Sequence, residues 1–180
     1  MKRKRTISPE TTREQLAAII VDKLREHQIE AVLVGGAVVS IYTNNKYESY
    51  DLDFISPASH DRLAAAMAEL DFRLHGKDFV HPHTAFTVEF PSGPLGIGDD
   101  VPIAAEGSMI VYGVRIVMLS PTQSVMDRLV SFFVFSDRQC LDQAVWIAQK
   151  HPVDLERVKE WAKRERHEEK LNVFLNRLRI

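Results

Sequence analysis

Two aspartates stand one residue apart in "YDLDFI", Asp51 and Asp53, and a glutamate, Glu89, stands in "FTVEF". On an extended strand, residues two apart point to the same face. Asp51 and Asp53 therefore project together, about 6.6 Å apart along the chain. Leu52 and Phe54 project the other way, toward a core. In the second segment Thr87 and Glu89 share one face, and Phe86, Val88 and Phe90 share the opposite one. If the two strands are neighbours with their apolar faces aligned, three carboxylates converge. Carboxylates taken from water without partners are costly, so cations must compensate. Hard oxygen ligands of this kind suit Mg²⁺ or Mn²⁺. Two such ions about 3.5–4 Å apart would clamp an in-line phosphoryl or nucleotidyl displacement.

Gly35-Gly36 ends the apolar run "EAVLVGG" and opens a segment of helical spacing. Without Cβ atoms, the pair lets backbone N–H groups approach an anion closely. A helix N-terminus adds favourable partial charge for phosphate.

The elements that must position these groups follow from periodicity and turn residues. Residues 12–27 read as a helix, with a capping box from Thr12 to Gln15 and an apolar stripe of Leu16, Ile19, Ile20 and Leu24. "EAVLV" reads as a buried strand and "AVVSIYT" as a helix through Val38, Ile41 and Tyr42. "YDLDFI" is a short strand. Ser56-Pro57 or Ser59 opens the next helix, with Leu63, Met67 and Leu70 inward. "FRLH" and "FVHP" are short extended pieces around the Gly76 turn, and "TAFTVEF" alternates as a strand does. Residues 91–102, "PSGPLGIGDDVP", are a loop. "MIVYGVRIVML" is a strand pair or one bent strand around Gly113. Ser120-Pro121 starts a helical region with breaks near Ser136-Asp137 and His151-Pro152. The order predicts a mixed α/β sheet with flanking helices over residues 11–119, a C-terminal helical subdomain over 120–180, and a flexible basic tail over 1–10.

Taken in order, "LVGGAVVSIYT", "YDLDF", "VEFPSGPLGIGDD" and "LSPTQSVMDRLVSFF" with the following "DRQCLDQAVWIA" resemble the nucleotidyltransferase superfamily of the DNA polymerase beta fold. The resemblance spans about residues 30–150 and is to the small, stand-alone prokaryotic members, some of the toxin–antitoxin type. It implies transfer of NMP from an NTP, such as ATP, to a hydroxyl of an acceptor, with release of pyrophosphate. The acceptor would be RNA, a protein or a small molecule. It implies that Gly35 and Gly36 hold the β and γ phosphates and that Asp51 and Asp53 bind both metal ions. Glu89 would bind the second and help deprotonate the acceptor hydroxyl. Ser49, two before the first aspartate, would touch the triphosphate, and Arg128 would face the nucleotide. The gap from Gly36 to Asp51 is slightly longer than the family's usual spacing. An inactive nucleotide-binding or antitoxin-like partner with the same fold is the alternative.

Composition bounds the rest. The chain has 180 residues, 45% of them hydrophobic, and a formal net charge of -2. It is no general polyanion binder, and its one basic cluster is Lys2-Arg3-Lys4-Arg5. The single cysteine, Cys140, excludes an intramolecular disulfide and any CxxC zinc site. A reducing, cytoplasmic location is expected, with no membrane span. His81-Pro82-His83 is expected in a surface loop, Phe132, Phe133 and Phe135 in the core, and Asp137 at a helix N-cap. Trp146 and Trp161 are expected to pin the helical region to the sheet.

Overall fold

The computed structural model describes residues 5–179. Its elements in chain order are α1 (Arg13–Glu26), β1 (Val32–Val34), α2 (Gly35–Thr43), β2 (Asp51–Ile55), α3 (His60–Ala68), β3 (Arg73–His75), β4 (Asp78–Val80), β5 (Thr87–Glu89), β6 (Gly107–Val111), β7 (Val114–Met118), α4 (Pro121–Phe135), α5 (Arg138–Lys150), α6 (Leu155–Arg164) and α7 (Glu168–Leu178). The strands form one mixed sheet in the order β3-β4-β5-β2-β1-β7-β6.

Local chemistry explains most boundaries. Thr12 caps α1 through a complete capping box with Gln15. Ser120 and Gln123 form another at the start of α4, with Pro121 in the first turn. Asp137 caps α5, its carboxylate accepting from the Gln139 and Cys140 amides at 2.9 and 3.1 Å. Tyr112 and Gly113, both at positive φ, make the tight turn between β6 and β7.

The sheet has one buried face and one more open face. Leu33, Leu52, Phe54, Val88, Ile116 and Met118 are all essentially buried. Their strand neighbours Val34, Asp53 and Glu89 lie half-buried on the opposite face. α1 packs against β7 and α3, while α2 packs against β1, β2, α4 and α5. Burying each large apolar side chain is worth about 1.5–3 kcal/mol, so this alternation holds β1, β2, β5 and β7 to one register.

Four expectations need correction. In the His81-Pro82-His83 loop, Pro82 and His83 are exposed as expected, but the His81 side chain is buried against Phe72, with ring centroids 5.0 Å apart. Phe135, at the end of α4, is 78% exposed, whereas Phe132 and Phe133 are core. Trp161 is fully buried but stacks on Phe133 at 5.6 Å, so it ties α6 to α4 and not to the sheet. The helical region also has a further break at Arg166, which sits at positive φ between α6 and α7. Of the basic N-terminal segment, residues 1–4 lie outside the described residues. Beyond them, Ile7 is buried, and Arg5 pairs with Asp22 and donates to the Tyr112 carbonyl.

Among the described residues, no helix is long and apolar enough to cross a membrane.

Candidate active site

The site begins with strand pairing. β2 and β5 run parallel, with Asp51 beside Thr87, Leu52 beside Val88 and Asp53 beside Glu89. Leu52 of β2 and Val88 of β5 are both completely buried. The acids are thereby turned to the common open face. β1 pairs antiparallel on the other side of β2, with Val34 beside Asp53. That register delivers the next residue, Gly35, to the same place. A Cβ on Gly35 would lie 2.7 Å from Asp53 Oδ2, and Gly35 has φ +67°. Both the space and the backbone angle therefore require glycine.

α2 starts at this point. Its N-cap, Val34, offers no side-chain cap, so the first-turn amides find no partner there. The helix presents them toward the acids. Its other end is fixed by α5: Lys150 Nζ donates to the Thr43 carbonyl at 2.7 Å, and His151 Nε2 lies 2.7 Å from the Tyr42 carbonyl oxygen. Cationic groups at a helix C-terminus are favourable, so α5 anchors the helix whose start faces the site.

Ser49 is buried and braces the turn into β2. Its amide donates to Ser40 Oγ at 2.9 Å, and its Oγ accepts from the Asp51 amide at 3.3 Å. A Cβ on Gly36 would come within 2.8 Å of Ser49 Oγ. Ser49 and Gly36 are thus in contact, and packing alone favours glycine at position 36.

The electrostatics centre on Asp53. Its pKa is pushed up to about 6, first by burial and then by the neighbouring Glu89 and Asp51, while Lys77 and Arg128 oppose the rise. Two contacts occupy the other acids. Thr87 Oγ1 donates to Asp51 Oδ1 at 2.6 Å, and Lys77 Nζ lies 2.7 Å from Glu89 Oε2. Arg128 does not touch Asp53. Its guanidinium is held by Asp127 Oδ2, at 2.6 Å from Nη2, and lies near Cys140. Burial works against that charge, but Asp127 outweighs it and holds Arg128 above the ordinary arginine range.

The register thus brings Asp51, Asp53, Glu89 and Gly35 together, with Gly36 and Ser49 against them. Arg128 reaches them only through its field. Among the described residues, no three His, Cys, Asp or Glu side chains are gathered closely enough to hold a metal ion by themselves. The donor set nonetheless fits Mg²⁺ or Mn²⁺ arriving with a nucleotide. Mg²⁺ usually takes one or two carboxylates plus substrate phosphates, and Asp53 shows an excess of negative charge that such an ion would relieve.

Sequence reasoning missed three contributors. Arg13 is 2% exposed. Its Nε and Nη2 donate to the Ser49 carbonyl at 3.0 and 2.9 Å, and its Nη1 to Asn45 Oδ1 at 2.6 Å. The signal was present, since Arg13 falls on the stripe of Leu16, Ala17, Ile20 and Leu24, where an arginine needs internal partners. Lys77 sits in the β3–β4 turn, and Asp78 pairs directly with Glu89. That pairing puts a fourth carboxylate on the acid-bearing row. A cavity of about 840 Å³ lies beyond the far ends of β2 and β5, lined by Ile55, Pro57, Phe90, Leu95 and Ile103. It is separate from the acids.

No family model matches the chain, and no curated protein matches it. Solved structures do. One is an antigenic nucleotidyltransferase-like protein from Paracoccidioides brasiliensis, with TM-score 0.59 and 14% identity over 79% of this chain and 78% of that one. Another is ANT(2'')-Ia in complex with adenylyl-2''-tobramycin, with TM-score 0.52 and 16% identity over 82% of this chain and 94% of that one. Together with the mixed sheet, these likenesses show that the chain has the nucleotidyltransferase-like fold.

Proposed function

We propose that this chain is a metal-dependent nucleotidyltransferase that transfers NMP from an NTP to a hydroxyl of an acceptor. One observation carries the reading: the parallel register of β2 and β5 sets Asp53 beside Glu89 while Gly35 lies against Asp53. A scaffold has no need for acids on one row at the start of an uncapped helix. The solved complex of ANT(2'')-Ia with an adenylylated tobramycin supports the compatibility of this fold with nucleotidyl transfer.

In this reading the first-turn amides of α2, at Gly35 and Gly36, bind the β and γ phosphates. Ser49 lies beside them, and Arg128 contributes its charge on the nucleotide side. Asp51, Asp53 and Glu89 would hold Mg²⁺ or Mn²⁺. A bound divalent ion supplies charge neutralisation and polarises the transferring phosphoryl group. Glu89 orients the acceptor hydroxyl and takes up its proton. The acceptor oxygen then bonds to the α phosphorus, the bond from that phosphorus to the bridging oxygen breaks, and pyrophosphate leaves.

The test is incubation with each α-labelled NTP, Mg²⁺ or Mn²⁺, and separate RNA, protein and small-molecule fractions. Label on any fraction, lost in Asp53→Asn, supports the reading. A binding-only partner is the second reading, favoured by the lack of a ready-made metal cluster among the described residues. It expects NTP binding with no label transfer. A toxin–antitoxin role rests on the sequence resemblance, and growth arrest on expression, relieved by a neighbouring gene product, would test it.

A further inference from the structure

We propose that Lys77 is a built-in counter-ion that holds Glu89 and must be displaced before a divalent cation can use that carboxylate. The inference rests on the metal-dependent reading above.

The placement of Lys77 follows from the turn. Gly76, at φ +64°, and Lys77 connect β3 to β4. A glycine at positive φ in the first central position suits a tight hairpin turn. β4 then pairs antiparallel with β5, with Asp78 opposite Glu89. The residue just before Asp78 is therefore delivered to the end of Glu89, and its ammonium closes to 2.7 Å of Oε2. A lysine ammonium is cationic at neutral pH, and this one faces the Glu89 carboxylate directly.

The pair is lopsided. The Lys77 side chain is 73% exposed and that of Glu89 only 23%. Exposed lysine pairs contribute little to stability and are screened by salt. Lys77 is thus poorly suited to brace the fold and well suited to leave. Three further carboxylates lie on the same face, Asp51, Asp53 and Asp78. Lysine and Mg²⁺ both seek the lone pairs of Glu89, and the ion needs a position that the ammonium now fills. Thr87 similarly engages Asp51, donating from Oγ1 to Oδ1 at 2.6 Å.

The test is Mn²⁺ binding by the full chain with a stoichiometric non-hydrolysable NTP analogue at low salt, read by electron paramagnetic resonance of the protein-bound ion. Lys77→Met should bind Mn²⁺ about three- to tenfold tighter than wild type, and Lys77→Arg should not. Arg73→Met removes a cation from the same strand row, since Arg73 precedes His75, which pairs with Asp78, but Arg73 has no contact with Glu89. It should change affinity less. The gain from Lys77→Met should vanish in a Glu89→Gln background. Unchanged binding in Lys77→Met, an equal gain in Arg73→Met, or a gain that survives without Glu89 overturns the proposal. An Asp53→Asn arm separates the two ideas. If it binds Mn²⁺ as well as wild type, the metal site itself is wrong and this inference falls with it. Thermal melts check that each variant folds.

Discussion

Replacing Asp53 by asparagine should make the protein more stable at neutral pH, measured without metal or nucleotide, while abolishing transfer. Burial, Glu89 and Asp51 raise the Asp53 pKa from 3.8 to about 6. A carboxyl with a raised folded pKa holds its proton more tightly in the folded than in the unfolded chain. Its contribution to stability is fully present below about pH 4 and is lost as pH rises through about 6. The full difference corresponds to about 3 kcal/mol. Solvent still reaches part of the side chain, and screening reduces this to about 1–2 kcal/mol. Asparagine has nearly the same shape and fits beside Gly35 without the charge. Denaturant melts should therefore place Asp53→Asn about 1–2 kcal/mol above wild type at pH 7.5, with the gap closing toward pH 4. Adding Mg²⁺ and an NTP should stabilise wild type and not the variant. A variant less stable than wild type at pH 7.5, or a gap that persists at pH 4, would falsify the claim that Asp53 is a frustrated charge. It would point instead to a structural role for that carboxylate.

Glu89→Gln should cut the transfer rate by orders of magnitude with little change in NTP affinity, because in the proposed mechanism Glu89 would act on the acceptor and mainly in the transition state. Single-turnover kinetics beside calorimetry measures both, and the strand should survive because Val88 remains fully buried. Gly35→Ala should destabilise the protein by about 1–3 kcal/mol and weaken NTP binding, since its Cβ would lie 2.7 Å from Asp53 Oδ2 at φ +67°. A denaturant melt and an NTP titration read the two effects. Arg13→Met should cost about 2–4 kcal/mol, because the buried Ser49 carbonyl loses both of its arginine donors. Melting temperature is the measure, and a neutral result removes Arg13 from the support of the site.

The acids were legible in the sequence because strand alternation is local. Asp51 and Asp53 had to share a face once Leu52 and Phe54 were assigned to the core, and Glu89 had to oppose Val88. The condition that joined them, adjacency of the two strands, was not local. It depends on a parallel pairing between segments some 36 positions apart and on β4 adding to the far edge of β5. Lys77 was hidden for the same reason, since its partner is set by the β4–β5 register and not by its neighbours in the chain. Trp161 shows the limit from the apolar side. Its burial was expected, but stacking on Phe133 is a choice among many aromatic surfaces that periodicity does not rank.

Arg13 carries the argument one step further. An arginine on the apolar stripe of an amphipathic helix contradicts the pattern around it, and such a contradiction marks a place where the fold serves something besides packing. The structure answers with two bonds to the Ser49 carbonyl and one to Asn45. Those residues belong to the turn between α2 and β2. A turn of this length has freedom to lose, and the buried guanidinium removes it at the residue two before Asp51. The helix start that would hold phosphate and the strand that would hold metal keep a fixed relation because α1 reaches across to pin the turn that joins them.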